Sequence, residues 1–211
     1  MMKKKWLAIN LMVFGLASVT MAADKAQKRL EFSAEVSETF SDQPEQNYQG
    51  KMYVNQDWLR DEGSQNGQKE LTIYHFSDKK LWAAKPDKKE YVTLDGVVVP
   101  HPLDEGMNNP CAKEKNAKCI ALGEEKRNGR KTEKWRVVRG SGDKSETGTT
   151  WVDKDLHIVV RDERPNNVFE LHNIHIAHQP ESLFSLPSDY KEVVHANADA
   201  DAAQQQAKFK K

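Results

Sequence analysis

The sequence has little cysteine, no excess of either charge and no long hydrophobic run, and each shortage excludes something. Its 32 Lys and Arg balance 32 Asp and Glu. Phosphate binding needs a net positive face, so this balance argues against a nucleic-acid binder. The longest apolar run, Trp6–Val19, has 14 residues and is broken by Asn10, Gly15 and Ser18. A spanning helix needs about 20, so no integral membrane protein is expected. No HExxH helix, GxSxG elbow or phosphate-cradling loop is present, so neither an enzyme nor a cofactor is expected. With 37% hydrophobic and 8% aromatic residues, the chain is too apolar for wholesale disorder. Its 211 residues suit one medium domain with appendages.

The first appendage is residues 1–22. Lys3, Lys4 and Lys5 precede the apolar run, and Thr20-Met21-Ala22 ends it with small residues at the positions a signal peptidase reads. This predicts a secretory signal peptide cleaved after Ala22 and a periplasmic protein. Losing three lysines and no acid takes the formal charge from 0 to −3. The two cysteines, Cys111 and Cys119, would then meet an oxidising compartment, where an even pair predicts a disulfide rather than a thiol nucleophile.

Period-2 alternation dominates the rest. Leu30, Phe32, Ala34, Val36 and Phe40 fall on one parity, with Glu31, Ser33, Glu35, Ser37 and Thr39 on the other. Turn signals recur at short intervals, among them Asn55-Gln56-Asp57, Asn66-Gly67, Ser77-Asp78-Lys79, Pro86-Asp87-Lys88, Asn128-Gly129, Asp153-Lys154-Asp155 and Pro165-Asn166-Asn167. Asn-Gly is the preferred centre of a type I′ hairpin turn. The strand-like runs between these turns predict a mainly β fold, an antiparallel meander of about eleven strands. Two runs echo each other. Gly50–Asp57 resembles Gly148–Asp155, and each is followed by Arg-Asp-Glu, at Arg60–Glu62 and at Arg161–Glu163. The spacing from the glycine differs, which favours two similar strand–turn–strand units over a true repeat. Two stretches break the pattern: residues 95–118, read as a lid or insert loop with a helical turn near Leu103–Met107, and a tail at 195–211, read as disordered or weakly helical. The folded domain is expected over 23–194.

A twisted open sheet of more than about ten strands curls or splits. The inner face of a curled sheet is filled by a core or by a ligand. Phe32, Trp58, Trp82, Tyr91 and Trp151 are the candidate wall residues of such a hollow.

Several segments carry a family resemblance. They are Gly123–Trp135, Trp151-Val152-Asp153, Val160-Arg161, Glu170–Ile174 and Gln179–Tyr190, with Phe184-Ser185-Leu186-Pro187 the most specific. Gly50–Arg60, Leu81-Trp82 and Pro86–Tyr91 add to it. The chain resembles the LolA-like superfamily of outer-membrane lipoprotein-sorting proteins and its DUF4412-type relatives. The resemblance implies a strongly curved antiparallel sheet, an unclosed barrel, with a hydrophobic hollow covered by helices. It also implies a non-enzymatic carrier holding a lipid or acyl ligand in the periplasm. The alternative is an envelope interaction or stress protein, with a protein partner and no ligand. A third reading is weak Cu or Zn binding. His172 and His178 would share a strand face while His175 points away.

Overall fold

The computed structural model describes residues 30–103, 109–112, 116–142 and 145–193. The expected signal peptide, the helical turn beyond Leu103 and the tail lie outside them. Twelve strands form one sheet. They are β1 (Phe32–Phe40), β2 (Tyr48–Val54), β3 (Trp58–Gln65), β4 (Gln68–His75), β5 (Lys80–Lys85), β6 (Glu90–Asp95), β7 (Ala117–Arg127), β8 (Arg130–Arg139), β9 (Glu146–Asp153), β10 (Val159–Glu163), β11 (Asn167–Ile176) and β12 (Lys191–Glu192). The order across the sheet is β12-β6-β5-β4-β3-β2-β1-β11-β10-β9-β8-β7. Two meanders, β1 to β6 and β7 to β11, meet where β1 pairs with β11. The sheet is open, with β12 and β7 at its edges.

The mainly β, unclosed architecture is the expected one, with two differences. The twelfth strand, β12, has two residues and pairs parallel to β6. The described residues include two short 3-10 turns, Pro44–Gln46 and Glu181–Phe184, and no α-helix. The cover that the resemblance implied is therefore not helical in the described part.

Local chemistry explains the hairpins. Asn66 and Gly67 have φ of 49° and 72°, and Asn128 and Gly129 have 47° and 80°. Both pairs sit at two-residue turns, where positive φ at both positions matches the twist of the flanking strands. The β9–β10 connection is longer than the sequence suggested. Asp153 accepts from the backbone N–H of Asp155 at 2.9 Å and of Leu156 at 2.8 Å, and the Asp153 N–H donates to the Ile158 carbonyl at 2.9 Å. These bonds close a turn over 153–158, and β10 starts at Val159.

The first face of the sheet holds the main core. Phe32, Val54, Leu59, Tyr74, Leu81 and Leu94 stand directly opposite one another on six successive strands. Each is at most 4% exposed. Val97 and Val99 follow β6 and cover this ridge, while Leu156, Ile158, Val160 and Leu171 extend it across β10 and β11. The Tyr74 hydroxyl donates to the Val97 carbonyl at 2.6 Å and accepts from the Val99 N–H at 3.2 Å. His101, also buried, bonds the Asn55 carbonyl through Nε2 at 2.9 Å and accepts from the Leu103 N–H at Nδ1. The first part of the expected lid is thus a strap sealed onto the core.

One glycine pair is fixed by sterics. Gly50 and Gly63 are register partners, and the Tyr48 ring lies over both. The Tyr48 hydroxyl donates to Asp61 at 2.6 Å. Burial and the Asp61 carboxylate push this phenol well above its ordinary pKa. A Cβ on Gly63 would lie 2.3 Å from the Gln49 carbonyl oxygen. Backbone cannot swing aside as a side chain can. Gly63→Ala is therefore expected to cost about 1–3 kcal/mol, read as a lower urea midpoint with an unchanged slope.

Candidate functional site

The structure divides the five expected wall residues. Phe32 belongs to the first-face ridge. Trp58, Trp82 and Tyr91 lie on the second face, in a smaller cluster with Leu71, Ile73, Ala84 and Phe184. Trp58 stacks on His75 at 3.9 Å and on Trp82 at 5.9 Å. The chain itself covers this cluster: Phe184, Leu183, Leu186 and Tyr190 descend on it, and Arg60 Nη1 anchors the Leu183 carbonyl at 2.9 Å. Trp151 is buried and belongs to the same core cluster as Phe32, with Arg127, Lys134 and Arg161 at 4.8, 4.9 and 5.7 Å from its ring. Its indole N–H donates to Glu125. The five side chains do not line one wall.

Over β3, β2, β1 and β11 lies an open hollow of about 610 Å³. Four of its lining residues form a cross-strand row. His172 on β11 is opposite Glu35 on β1, Glu35 is opposite Lys51 on β2, and Lys51 is opposite Glu62 on β3. Ser37 and Gln49, also partners, stand beside that row, and Thr39 completes the polar lining. The alternation of sign, Glu35–Lys51–Glu62, is the arrangement in which cross-strand neighbours attract.

The walls of the hollow are braced from behind. Glu62 receives Arg60 Nε at 2.9 Å and the Tyr53 hydroxyl at 3.2 Å. Glu35 receives Asn173 Nδ2 at 2.9 Å. His172 Nε2 and the Ser37 hydroxyl are 3.0 Å apart. Glu170, almost fully buried, receives Arg127 Nε at 3.0 Å and also pairs with Arg161. Burial alone would raise the Glu170 carboxyl. The Arg127 hydrogen bond and the Arg161 charge outweigh it and hold the group below its ordinary value. Lys51, by contrast, is exposed, and no hydrogen bond or ion pair holds it among the described residues.

The histidines do not assemble. His172 bonds Ser37, while His178 Nδ1 bonds Glu31 Oε2 at 2.7 Å. Among the described residues no three His, Cys, Asp or Glu side chains are grouped to hold a metal. Cys111 and Cys119 are joined in a disulfide that ties the described residues 109–112 to the start of β7. The polar lining of this hollow went unread in the sequence, which pointed to an aromatic one. Its row is set by pairing between β1 and β11, strands more than a hundred residues apart in the chain.

No protein-family model matches the chain, and no curated protein does either. Solved structures do match. The MucA/MucB complex of Pseudomonas aeruginosa is similar at 11% identity over 80% of this chain and 60% of that chain, with a TM-score of 0.55. An uncharacterized conserved protein from Thermus thermophilus is similar at 13% identity over 77% of this chain and 89% of that one, with a TM-score of 0.51. A LolA superfamily protein from Nitrosomonas europaea is also matched, at 9% identity over 76% and 91%, with a TM-score of 0.34. The chain spans about 60% of the length of the MucB structure. At these identities the likeness is one of fold.

Proposed function

We propose that this chain is a non-enzymatic binding protein of the periplasm that engages a partner polypeptide at the polar hollow of its second face. The observation that carries this choice over lipid carriage is where the apolar surface goes. The first face is occupied by the chain's own side chains, with Phe32, Val54 and Leu81 at 0% exposure. An acyl chain gains about 0.8 kcal/mol for each CH₂ it buries, and it would find no open apolar wall there. The open hollow is lined by Glu35, Ser37, Thr39, Gln49, Lys51, Glu62 and His172 together with Val36 and Gly50, so seven of its nine residues carry polar or charged side chains. Small-molecule sites are mostly apolar with a few polar groups, so this lining suits the side chains of a protein surface better. The fold neighbour MucB, seen in complex with MucA, supports a polypeptide partner. The export signal read at residues 1–22 supports the compartment.

The test has two arms. Protein purified from an envelope fraction is extracted with organic solvent and analysed by mass spectrometry. In parallel, a photo-cross-linking amino acid at position 51 is activated in intact cells. No stoichiometric lipid and a discrete cross-linked polypeptide are expected. One acyl lipid per protein, with no cross-link, would return the carrier reading to first place.

A further inference from the structure

At the β7 end of the sheet, two rows of side chains run across three strands without an acid. Lys118 on β7 is opposite Val138 on β8, and Val138 is opposite Thr147 on β9. Ile120 is opposite Arg136, and Arg136 is opposite Thr149. Register partners share a face, and Lys118 joins Ile120 by the two-residue period, so the six side chains form one patch. The second row continues through Glu163 and Val168 to Thr39, which lines the hollow, so the patch lies on the second face. Glu163, the first acid along it, is already paired with Arg161.

The patch is open. Ile120 is 52% exposed, and Leu122, which has no register partner between Ala121 and Gly123, is 44% exposed. Lys118, Arg136 and Thr147 are exposed as well. Lys118 and Arg136 form no ion pair among the described residues. Glu125 is the one acid that the register places on this face of β7 and β8, and it is taken by Lys134 and the Trp151 indole. The disulfide does not cover the patch. Cys119 stands between Lys118 and Ile120 and points to the opposite face, where it ties residues 109–112.

We infer that this patch rests on an anionic lipid surface, with Ile120 entering the headgroup boundary and Lys118 and Arg136 on the phosphates around it. Apolar tips and cations at one level are the interfacial pattern. A guanidinium fork matches phosphate oxygens, and threonine hydroxyls donate to them. A protein partner draws most of its energy from large side chains seated in pockets. A fluid headgroup layer needs no matching pocket, which suits two aliphatic tips beside unpaired cations. The acids elsewhere on the chain do not oppose the contact, since exposed charges are screened beyond about 10 Å at 0.1 M salt. Arg136 is four strands from Thr39, about 19 Å at a strand spacing of about 4.8 Å. The lipid contact is thus separate from the hollow, and either can fail alone.

The test is sedimentation of the mature protein with vesicles at low salt. One set is phosphatidylglycerol and phosphatidylcholine in equal parts, the other phosphatidylcholine alone. Binding to the anionic set alone, weakened by added salt, is expected. Each cation removed near a charged surface costs about fivefold, so Lys118→Gln with Arg136→Gln is expected to bind about 25-fold more weakly. Lys85→Gln with Lys88→Gln removes the same charge from exposed positions elsewhere and is expected to change binding less than about twofold. Ile120→Ser is expected to weaken binding at unchanged salt dependence. Melting temperatures of all three variants are expected to match wild type, because the substituted side chains are exposed. Three results would overturn the inference: no preference for the anionic vesicles, equal losses in the two double variants, or a photo-cross-linker at position 120 that captures a discrete polypeptide in intact cells and no lipid. The last would give the patch to an acidic protein. A cross-link from position 51 together with failed sedimentation would discard the lipid contact and keep the hollow.

Discussion

Asp153→Ala is expected to lower the stability of the fold by about 3–5 kcal/mol, because it strips a partly buried guanidinium of its main counter-charge and leaves only the exposed Asp155 at 3.5 Å. Asp153 is 0% exposed. Arg130 grips it with both arms of its fork, Nη2 at 2.9 Å from Oδ1 and Nε on Oδ2. The same Oδ1 shapes the 153–158 turn that sets Leu156 and Ile158, 3% and 4% exposed, into the core. Removing the carboxylate therefore frees a charge and loosens two core residues together. Asp153→Asn separates the two effects, since it keeps an acceptor for the turn and removes the charge. Acid acts on the same group. Burial alone would raise the Asp153 carboxyl, but the bonds from Arg130, Leu156 and Asp155 hold it below its ordinary value of 3.8. A depressed carboxyl contributes stability that is present above the unfolded-state value and is lost as pH falls through the folded one. Urea midpoints of the wild type should thus fall as the pH drops below about 4. The Asn variant should fall less steeply, with Glu170 and Asp57, also depressed, supplying the remaining slope. Equal slopes would mean that Asp153 is not the group being titrated.

The echo in the sequence turns out to have a physical basis. Asn55 accepts from the N–H groups of Asp57 at 3.0 Å and Trp58 at 2.8 Å, the same i+2 and i+3 pattern that Asp153 makes. A Cβ on Gly50 would meet the Glu62 carbonyl at 2.6 Å, and one on Gly148 would meet the Glu163 carbonyl at 2.5 Å. Arg60 bonds Glu62 as Arg161 bonds Glu163. The unequal spacing also resolves. The turn after Asn55 closes on Trp58, the turn after Asp153 closes on Ile158, and a register shift between Val159 and Arg161 takes up the rest. Such features are legible because short-range hydrogen bonding dictates them. A side-chain oxygen two or three residues from an N–H needs no tertiary information to find it.

What depends on long-range register was not legible. Residues 95–118 read as a polar lid because Pro100, Pro102 and Gly106 break any period, yet Val97, Val99 and His101 are buried against strands that precede them by about twenty to fifty residues. The aromatic parity was sound within each strand. It could not say that Phe32 and Trp82 fall on opposite faces, because that follows from the pairings β1–β2, β2–β3, β3–β4 and β4–β5 taken together. A one-residue change of register anywhere in that series exchanges the faces. The hollow's row, His172–Glu35–Lys51–Glu62, rests on the same kind of information, and no local motif marks it.

Phe32→Ala tests the two readings of the first face against each other. Phe32 is fully buried and is register partner to Val54 at the head of the six-strand ridge. If the ridge is core, truncation removes a large buried side chain and leaves a void that close-packed neighbours fill only in part. A loss of about 3–5 kcal/mol follows, seen as a large fall in the urea midpoint. If the ridge were the wall of a ligand cavity, Phe32 would already border open space. The same truncation would then enlarge the cavity at small cost to the ligand-free protein, and its effect would appear in ligand affinity instead. Trp82→Ala supplies the comparison. Trp82 is only partly buried on the second face, beside Trp58 and under the 181–190 segment, so its loss is expected to cost less than that of Phe32. Phe32→Ala more destabilising than Trp82→Ala, with no gain in binding of a fluorescent fatty acid, would assign the first face to folding and leave recognition to the polar one. The reverse order, with fatty-acid binding strengthened by Phe32→Ala, would place an acyl cavity on the first face.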